Sequence, residues 1–215
     1  MYGEAARSGD KKALKKFKYE NWEWDEVVDY YEECKKCRLW AGRTNSVFGS
    51  GSKKAKVLII GEGPGETEDK DGVPFVGRSG KLLREYLKKA GLIKKDVYIT
   101  NLVACRPPKN RDPDYSEVKA CEPRVKYIVR HLPNLKVIVC VGGSAIYFVL
   151  GLQSVRQSMA IHYPSEKQYG INIMVYGVYH PAYLLRRGKP KKAMKEWLTC
   201  FREIKENADG DNSDK

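Results

Sequence analysis

The sequence predicts an α/β fold: three layers, α/β/α, with a central four-stranded parallel sheet between the helices. Three observations predict it. Short apolar runs recur along the chain, amphipathic stretches of helical period separate them, and a polar or glycine residue stands near the end of each run: Gly61, Asn101, Gly142 and His180. Strands buried on both faces read as continuous apolar runs, and their alternation with helices is the pattern of a parallel sheet.

The elements follow in order. Residues 1–20 are basic and polar and read as a segment apart from the domain, which spans residues 21–207. Asn21 to Cys37 carries Trp22, Trp24, Val27, Val28, Tyr30 and Tyr31 among acidic residues, as an amphipathic helix ending at a cysteine pair would. Val57–Ile60 is the first strand, stopped by Gly61. Ser79 or Gly80 opens a helix carrying Leu82, Leu83, Tyr86 and Leu87, and Gly91 stops it. Val97–Val103 is the second strand. A long loop, CRPPKNRDPDY, leads to a helix over Ser116–His131, with Pro123 as a break or a fresh start. Val137–Val141 is the third strand, Ala145–Leu150 a short helix, and Ile171–His180 the fourth strand. A basic helix, Lys191–Glu206, closes the fold, and residues 208–215 form a polar tail expected to be disordered.

Composition narrows the class of function. A chain of 215 residues with 42% hydrophobic residues suits one cored domain. A net charge of +13 favours polyanion partners, although a thermophile's Lys/Glu-rich surface is the plain alternative. No apolar run is long enough to span a membrane, and the N-terminus has no apolar signal core. A cytoplasmic setting follows, in which cysteines are reduced or metal-bound.

Cys34 and Cys37 form a CxxC pair, and Cys105 and Cys121 supply two more thiols. Four thiolates close around a [4Fe–4S] cluster or a tetrahedral zinc. The wide Cys105–Cys121 spacing lacks the second tight pair of a zinc ribbon and favours the cluster. Cys140, mid-strand, and Cys200, on the last helix, read as core thiols. Between the cysteine pairs runs GEGPGETEDKDGVPFVGRSG, Gly61–Gly80. It is neither a Walker loop nor a dinucleotide fingerprint, and Glu62 would repel a pyrophosphate. It offers close backbone approach and a carboxylate, which suits stabilising a cation or activating a water. With Asn101, Gly142–Gly143 and His180 it lies at strand ends, where open α/β sheets bind ligands.

These residues are similar to a known family. GEGPGETEDKDGVPFVGRSGKLL, YITNLVACRPPKNRDP, the four cysteines and HPAYLLR at His180–Arg186 together resemble the family 4 uracil-DNA glycosylases, the iron–sulfur type of thermophilic bacteria and archaea. The resemblance runs from about Cys34 to Glu206. It implies a uracil-excising repair enzyme of prokaryotic cytoplasm and nucleoid. A structural [4Fe–4S] cluster would sit on Cys34, Cys37, Cys105 and Cys121. By position, Glu62 falls on the family's first-motif acid, with Gly63 contributing backbone beside it. Glu68 matches an acid that orients the loop, Phe75 the aromatic that stacks on the extruded base, Asn101 the amide that reads uracil, and His180 the second-motif histidine. Ala104 departs from a common lysine, and Gln157 from a frequent glycine.

The chemistry suits those roles. Breaking an N-glycosidic bond places positive charge on the sugar and negative charge on the departing base. His180 can donate to uracil O2, and Glu62 can hold a water near the sugar. Asn101 can donate to O4 and accept from N3–H, a pattern that cytosine reverses. Arg186 and Arg187, in a basic run with Lys189, Lys191 and Lys192, are expected on DNA phosphates. Tyr183, Leu184 and Leu185 after His180 either wedge into the vacated stack, with Leu184 taken as the DNA contact, or pack the last helix. The expected partners are uracil-containing single- and double-stranded DNA, with the chain acting as a monomer and no membrane contact; a sliding clamp stays open as a further partner. Two other classes stay open: a non-catalytic iron–sulfur accessory protein that binds nucleic acid, and a zinc-bound nucleotide hydrolase. Glu62, Asn101 and His180 together discriminate against the first.

Overall fold

Five strands form one sheet in the computed structural model, which describes residues 19, 21–152 and 173–210. Strand β2 (Val57–Gly61) is central, with β3 (Val97–Asn101) on one side and β4 (Val137–Val141) on the other. Strand β5 (Met174–Val178) follows β4 at one edge. These four are parallel, as expected. The fifth, β1 (Ser50–Gly51), pairs antiparallel with Ile99 and Tyr98 at the other edge. The expectation of four strands missed it because two residues carry no period.

Every residue of β2, β3 and β4 is buried. Alternate side chains feed two separate cores. Leu58, Ile60, Tyr98, Ile138 and Cys140 join the layer of helices α1 (Trp24–Glu32), α4 (Tyr115–Arg130) and α5 (Gly143–Leu150). Val57, Ile59, Val97, Ile99, Val137 and Val139 join the layer of α3 (Arg78–Lys89), the short α6 (Pro181–Arg186) and α7 (Lys191–Asp209). The chain leaves β2 through α2 (Glu66–Asp71) and α3 to reach β3, then crosses by α4 to β4 on the far side of β2. The order reverses at β2. Such a switch point opens a crevice beyond the C-terminal ends of the central strands.

The structure departs from the sequence reading at several points; the second strand, for one, ends at Asn101 and not at Val103. Helix α1 stops at Glu32, so Cys34 and Cys37 lie in the turn before a 3-10 segment, Arg38–Gly42. Helix α4 passes unbroken through Pro123, which forfeits one backbone donor. Buried Val118, Cys121, Val125 and Ile128 hold that helix against the sheet regardless. Helix α7 continues to Asp209, past the start of the tail expected at residue 208, because Ala208 still reaches the core. Tyr19, within the segment expected to stand apart, is fully buried. Its ring lies 5.2 Å from Trp22 and 5.3 Å from Tyr30. Gln157 and the start of the fourth expected strand lie outside the described residues. No described helix is long and apolar enough to cross a membrane.

The start of α4 is fixed by one buried carboxylate. Glu117 accepts from the Asp114 N–H at 2.7 Å, Arg38 Nε at 2.8 Å and Arg111 Nη2 at 2.7 Å, closing a capping box. The Arg111 contact, aided by Arg38 and opposed by burial, holds its pKa below the usual carboxylate value. A depressed folded pKa stabilises above the unfolded pKa, and that stability is lost as pH falls through the folded one. Glu117→Ala is expected to cost about 1–3 kcal/mol at neutral pH, less than a wholly buried pair because both arginines retain solvent. Urea melts at neutral pH and near pH 3 should show the difference shrinking in acid.

Candidate active site

The crevice at the switch point holds a cavity of about 430 Å³. Glu62, Gly63, Glu68, Phe75, Asn101 and His180 all line it, along with Arg186. Each arrives from a different place in the chain. Glu62 and Gly63 follow β2, Asn101 ends β3, and His180 stands just after β5 and before α6.

Phe75 is placed by its backbone. It adopts a left-handed conformation, φ 54°, which a bulky residue holds only when its surroundings impose it. Three groups impose it here. Glu68 Oε1 accepts from the N–H groups of Val76 (3.0 Å) and Gly77 (2.8 Å). Arg84 donates to the carbonyls of Phe75 and Pro74, both at 2.9 Å. Gly80, opening α3, lies so close to the Phe75 carbonyl that any Cβ there would overlap it. Gly61 permits the other approach. A Cβ on it would fall 2.5 Å from Phe75 Cζ and collide with Asn101 Oδ1.

Asn101 is 1% exposed, and its side-chain Oδ1 is buried with no hydrogen-bond partner among the described residues. A buried acceptor left so costs about 1–3 kcal/mol, which a ligand N–H would recover. Its backbone carbonyl points the other way, accepting from Arg124 Nη2 at 2.5 Å.

His180 caps α6, and its Nδ1 accepts from the Ala182 N–H at 3.2 Å. Nδ1 is therefore the bare nitrogen, and Nε2 carries the proton as a donor. Burial, with help from Arg186 and against Glu68, pushes its pKa down from 6.5 to about 4. The imidazole is neutral at physiological pH. Glu62 moves the other way. Burial raises its pKa and the Asp112 carboxylate adds to this, while the Ser144 hydroxyl, which donates to Glu62 Oε2, opposes it.

The cysteines gather elsewhere. Cys34, Cys37, Cys105 and Cys121 line one small cleft beside α1 and α4. Arg43 Nη1 donates to Cys105 Sγ at 3.2 Å, and Arg124 Nε to Cys121 Sγ at 3.5 Å. Burial raises the Cys105 pKa and the Arg43 donor opposes it; guanidinium donors on two sulfurs suit ligands of an anionic group. No three of the described His, Cys, Asp and Glu side chains stand close enough to hold a single metal ion. Cys140 and Cys200 are buried in the core, outside this cleft.

The DNA-facing expectations divide. Arg186 lines the cavity, and Arg187 lies 5.5 Å from the Tyr183 ring centroid. Leu184 is wholly buried in the α3–α7 layer and cannot wedge into a duplex. On the single turn and a half of α6, the side chain four residues past His180 faces the core, and Tyr183 faces out at 38% exposure. The sequence reading also missed Ser144, Asp112, Arg84 and Arg124. Arg124 alone left a usable signal, as a charged residue beside Val125 on the apolar stripe of α4.

The model of the uracil DNA glycosylase superfamily matches residues 48–202. A type-4 uracil-DNA glycosylase of Saccharolobus solfataricus is 38% identical over 190 residues, 85% of each chain. The chain belongs to the type-4 uracil-DNA glycosylase family. A second type-4 member, from Archaeoglobus fulgidus, is 39% identical over 188 residues, covering 85% of this chain and 92% of its own. A type-5 uracil-DNA glycosylase of Thermus thermophilus is 33% identical across 55% of this chain. The family's fold is the one described above, and the matched span contains the cavity residues from Glu62 to His180.

The raised pKa of Glu62 has a sign in stability. Its carboxyl ionises at lower pH in the unfolded chain than in the fold, so stability falls as pH rises through that interval, and the cost is fully present above the folded pKa. Glu62→Gln is expected to melt above the parent at neutral pH, with the gap closing below the ordinary carboxylate pKa of about 4.3. Calorimetry at both pH values measures this. A variant melting lower at neutral pH would contradict the burial penalty.

Proposed function

We propose that this type-4 family member excises uracil from single- and double-stranded DNA by hydrolysing the N-glycosidic bond, leaving an abasic site for base excision repair. The observation that carries the reading is the unpartnered, buried Oδ1 of Asn101, held in one cavity with Phe75 and a neutral His180. Uracil matches that edge. Its N3–H answers Oδ1, and its O4 accepts from the Asn101 amide NH₂. Cytosine, with a bare N3 and a donor at position 4, leaves both unanswered.

The base must leave the stack to reach this depth. Phe75 then covers its face, and the rigid Glu68–Arg84 clamp keeps that ring still. His180 donates from Nε2 to the charge growing on O2. A neutral donor fits, since it stabilises the anion without having to surrender its proton. Glu62, ionised and partly desolvated, offsets positive charge at the sugar and holds the attacking water. Gly63, its neighbour in the loop, brings backbone close to the base. A non-catalytic accessory protein would need neither the costly Glu62 carboxylate nor this histidine, and family membership favours the enzyme.

A [4Fe–4S] cluster fits Cys34, Cys37, Cys105 and Cys121, with Arg43 and Arg124 as sulfur donors. In a cluster each thiolate takes a different iron, so the four need not meet at one point as around zinc. Hydrolysis moves no electrons, and the cluster's contribution is to staple the turn after α1 to α4 and the loop after β3. The reading places a single chain on DNA in a prokaryotic cytoplasm, at the nucleoid.

At the DNA surface, Arg186 and Arg187 contact phosphates, and Tyr183 takes the place expected of Leu184. Its ring stacks on Tyr179 at 5.5 Å and accepts the Arg187 guanidinium over its face, so it is presented in a fixed pose. Incubating the protein with uracil-containing oligonucleotides, then alkali, should cleave single strands and U·G duplexes at the uracil. Absence of both products from folded protein would sink the reading. Tyr183→Ala should slow duplex excision about 10–100-fold, as unstacking costs a few kcal/mol, and leave single-strand excision nearly unchanged. Equal losses on both substrates would remove Tyr183 from the wedge role.

A further inference from the structure

Arg124 is fully buried, yet none of the ion pairs among the described side chains includes it. Its donors are spent in three directions. Nη1 meets the Phe48 carbonyl at 2.5 Å and Thr100 Oγ1 at 2.6 Å. Nη2 meets the carbonyls of Asn101 at 2.5 Å and Leu102 at 3.4 Å. Nε meets Cys121 Sγ at 3.5 Å. Among the described residues every acceptor but the sulfur is a neutral oxygen. The sulfur of Cys121, one of the four cysteines of the cleft, is therefore the contact through which an anionic centre bound there would balance the buried guanidinium.

The same side chain grips the peptide that aims Asn101. The oxygen of the Asn101–Leu102 peptide accepts from Arg124, and its N–H donates to the Gly61 carbonyl at 2.9 Å. Both polar ends of that peptide are thus fixed, one by the guanidinium and one by β2. The Asn101 amide projects from it into the cavity, where its Oδ1 has no other anchor.

We propose that Arg124 is a positioning residue that links Cys121 Sγ to the peptide carrying Asn101, so that the cysteine centre sets the pose of the base-reading amide. The proposal rests on the cluster and uracil readings given above. It adds a role for the centre beyond stapling: an anion that keeps a buried arginine in place, which in turn keeps the pocket's reading edge in place. A lysine could supply the charge but not the fork, because one ammonium cannot reach a sulfur, a hydroxyl and three carbonyls at once.

The test compares wild type, Arg124→Lys, Arg124→Met and Asn101→Ala as iron-loaded proteins. For each, iron per chain, melting temperature, the reduction potential of the centre, and single-turnover excision over a DNA concentration series are measured. In Arg124→Lys, with iron retained, the maximal excision rate is expected to fall about 10–100-fold, as a small misplacement near the chemistry does, with the half-saturating DNA concentration unchanged. The potential should move negative in both arginine variants, since a donor to a ligating sulfur is removed. Asn101→Ala should lose excision without moving the potential. Arg124→Lys and Arg124→Met with wild-type rate and potential would overturn the link, and so would failure of both to fold, which would make Arg124 a general prop of the core. Wild-type protein without iron would instead overturn the cluster reading, leaving the excision rate of Arg124→Lys to decide the Asn101 half.

Discussion

A guanidinium brings five N–H donors and a charge that never leaves, and Arg124 brings all of them into the interior. Everything around it must therefore supply acceptors. Phe48 and Thr100 do so from the β1 side of the sheet, Asn101 and Leu102 from the end of β3, and Cys121 from its own helix. The loop before β1, the central sheet, the cysteine cleft and the floor of the cavity meet at this one side chain. A buried arginine is expensive unless satisfied, so the surrounding geometry tolerates little drift. On the proposed reading, that intolerance serves an amide that tells uracil from cytosine by two hydrogen bonds.

The rest of the cavity is made by close approach. Gly61 lets Phe75 and Asn101 come within reach of the β2 terminus, and Gly80 lets α3 begin against the Phe75 carbonyl. Glu68 and Arg84 then bind opposite sides of the same short loop, one collecting N–H groups and the other carbonyls. The strained φ of Phe75 is held by these contacts and not by the ring itself. A flat aromatic platform in a fixed pose is what an extruded base requires, since a platform that moves would give back the stacking energy as entropy.

Two ionisable groups share the pocket, and their environments push them in ways that suit the reaction. His180 is kept neutral by burial and by Arg186, and its proton is committed to Nε2 by the Ala182 N–H at Nδ1. Glu62 is made a costlier anion by burial, with Ser144 easing the cost. A neutral donor and a strained carboxylate stand ready for a base that turns negative and a sugar that turns positive. Their environments, more than their identities, fix which does which.

Much of this was legible in the chain itself. Apolar runs ending in glycine, asparagine and histidine placed Glu62, Asn101 and His180 at strand ends, because a parallel sheet brings all its C-terminal ends to one edge. Cysteine spacing separated Cys34, Cys37, Cys105 and Cys121 from the core thiols Cys140 and Cys200, since periodicity assigns the latter to a strand and a helix. What periodicity cannot encode was decided in three dimensions. Leu184 and Tyr183 are neighbours on a helix too short for a moment, and only packing against α3 and α7 turned one inward and the other out. The two residues of β1 paired because a neighbouring strand offered them an edge. Arg124, like Asp112 and Ser144, gained its role from partners distant in sequence. Local pattern reports a residue's own preference for a face, whereas hydrogen bonds and pKa values depend on which distant groups the fold delivers beside it.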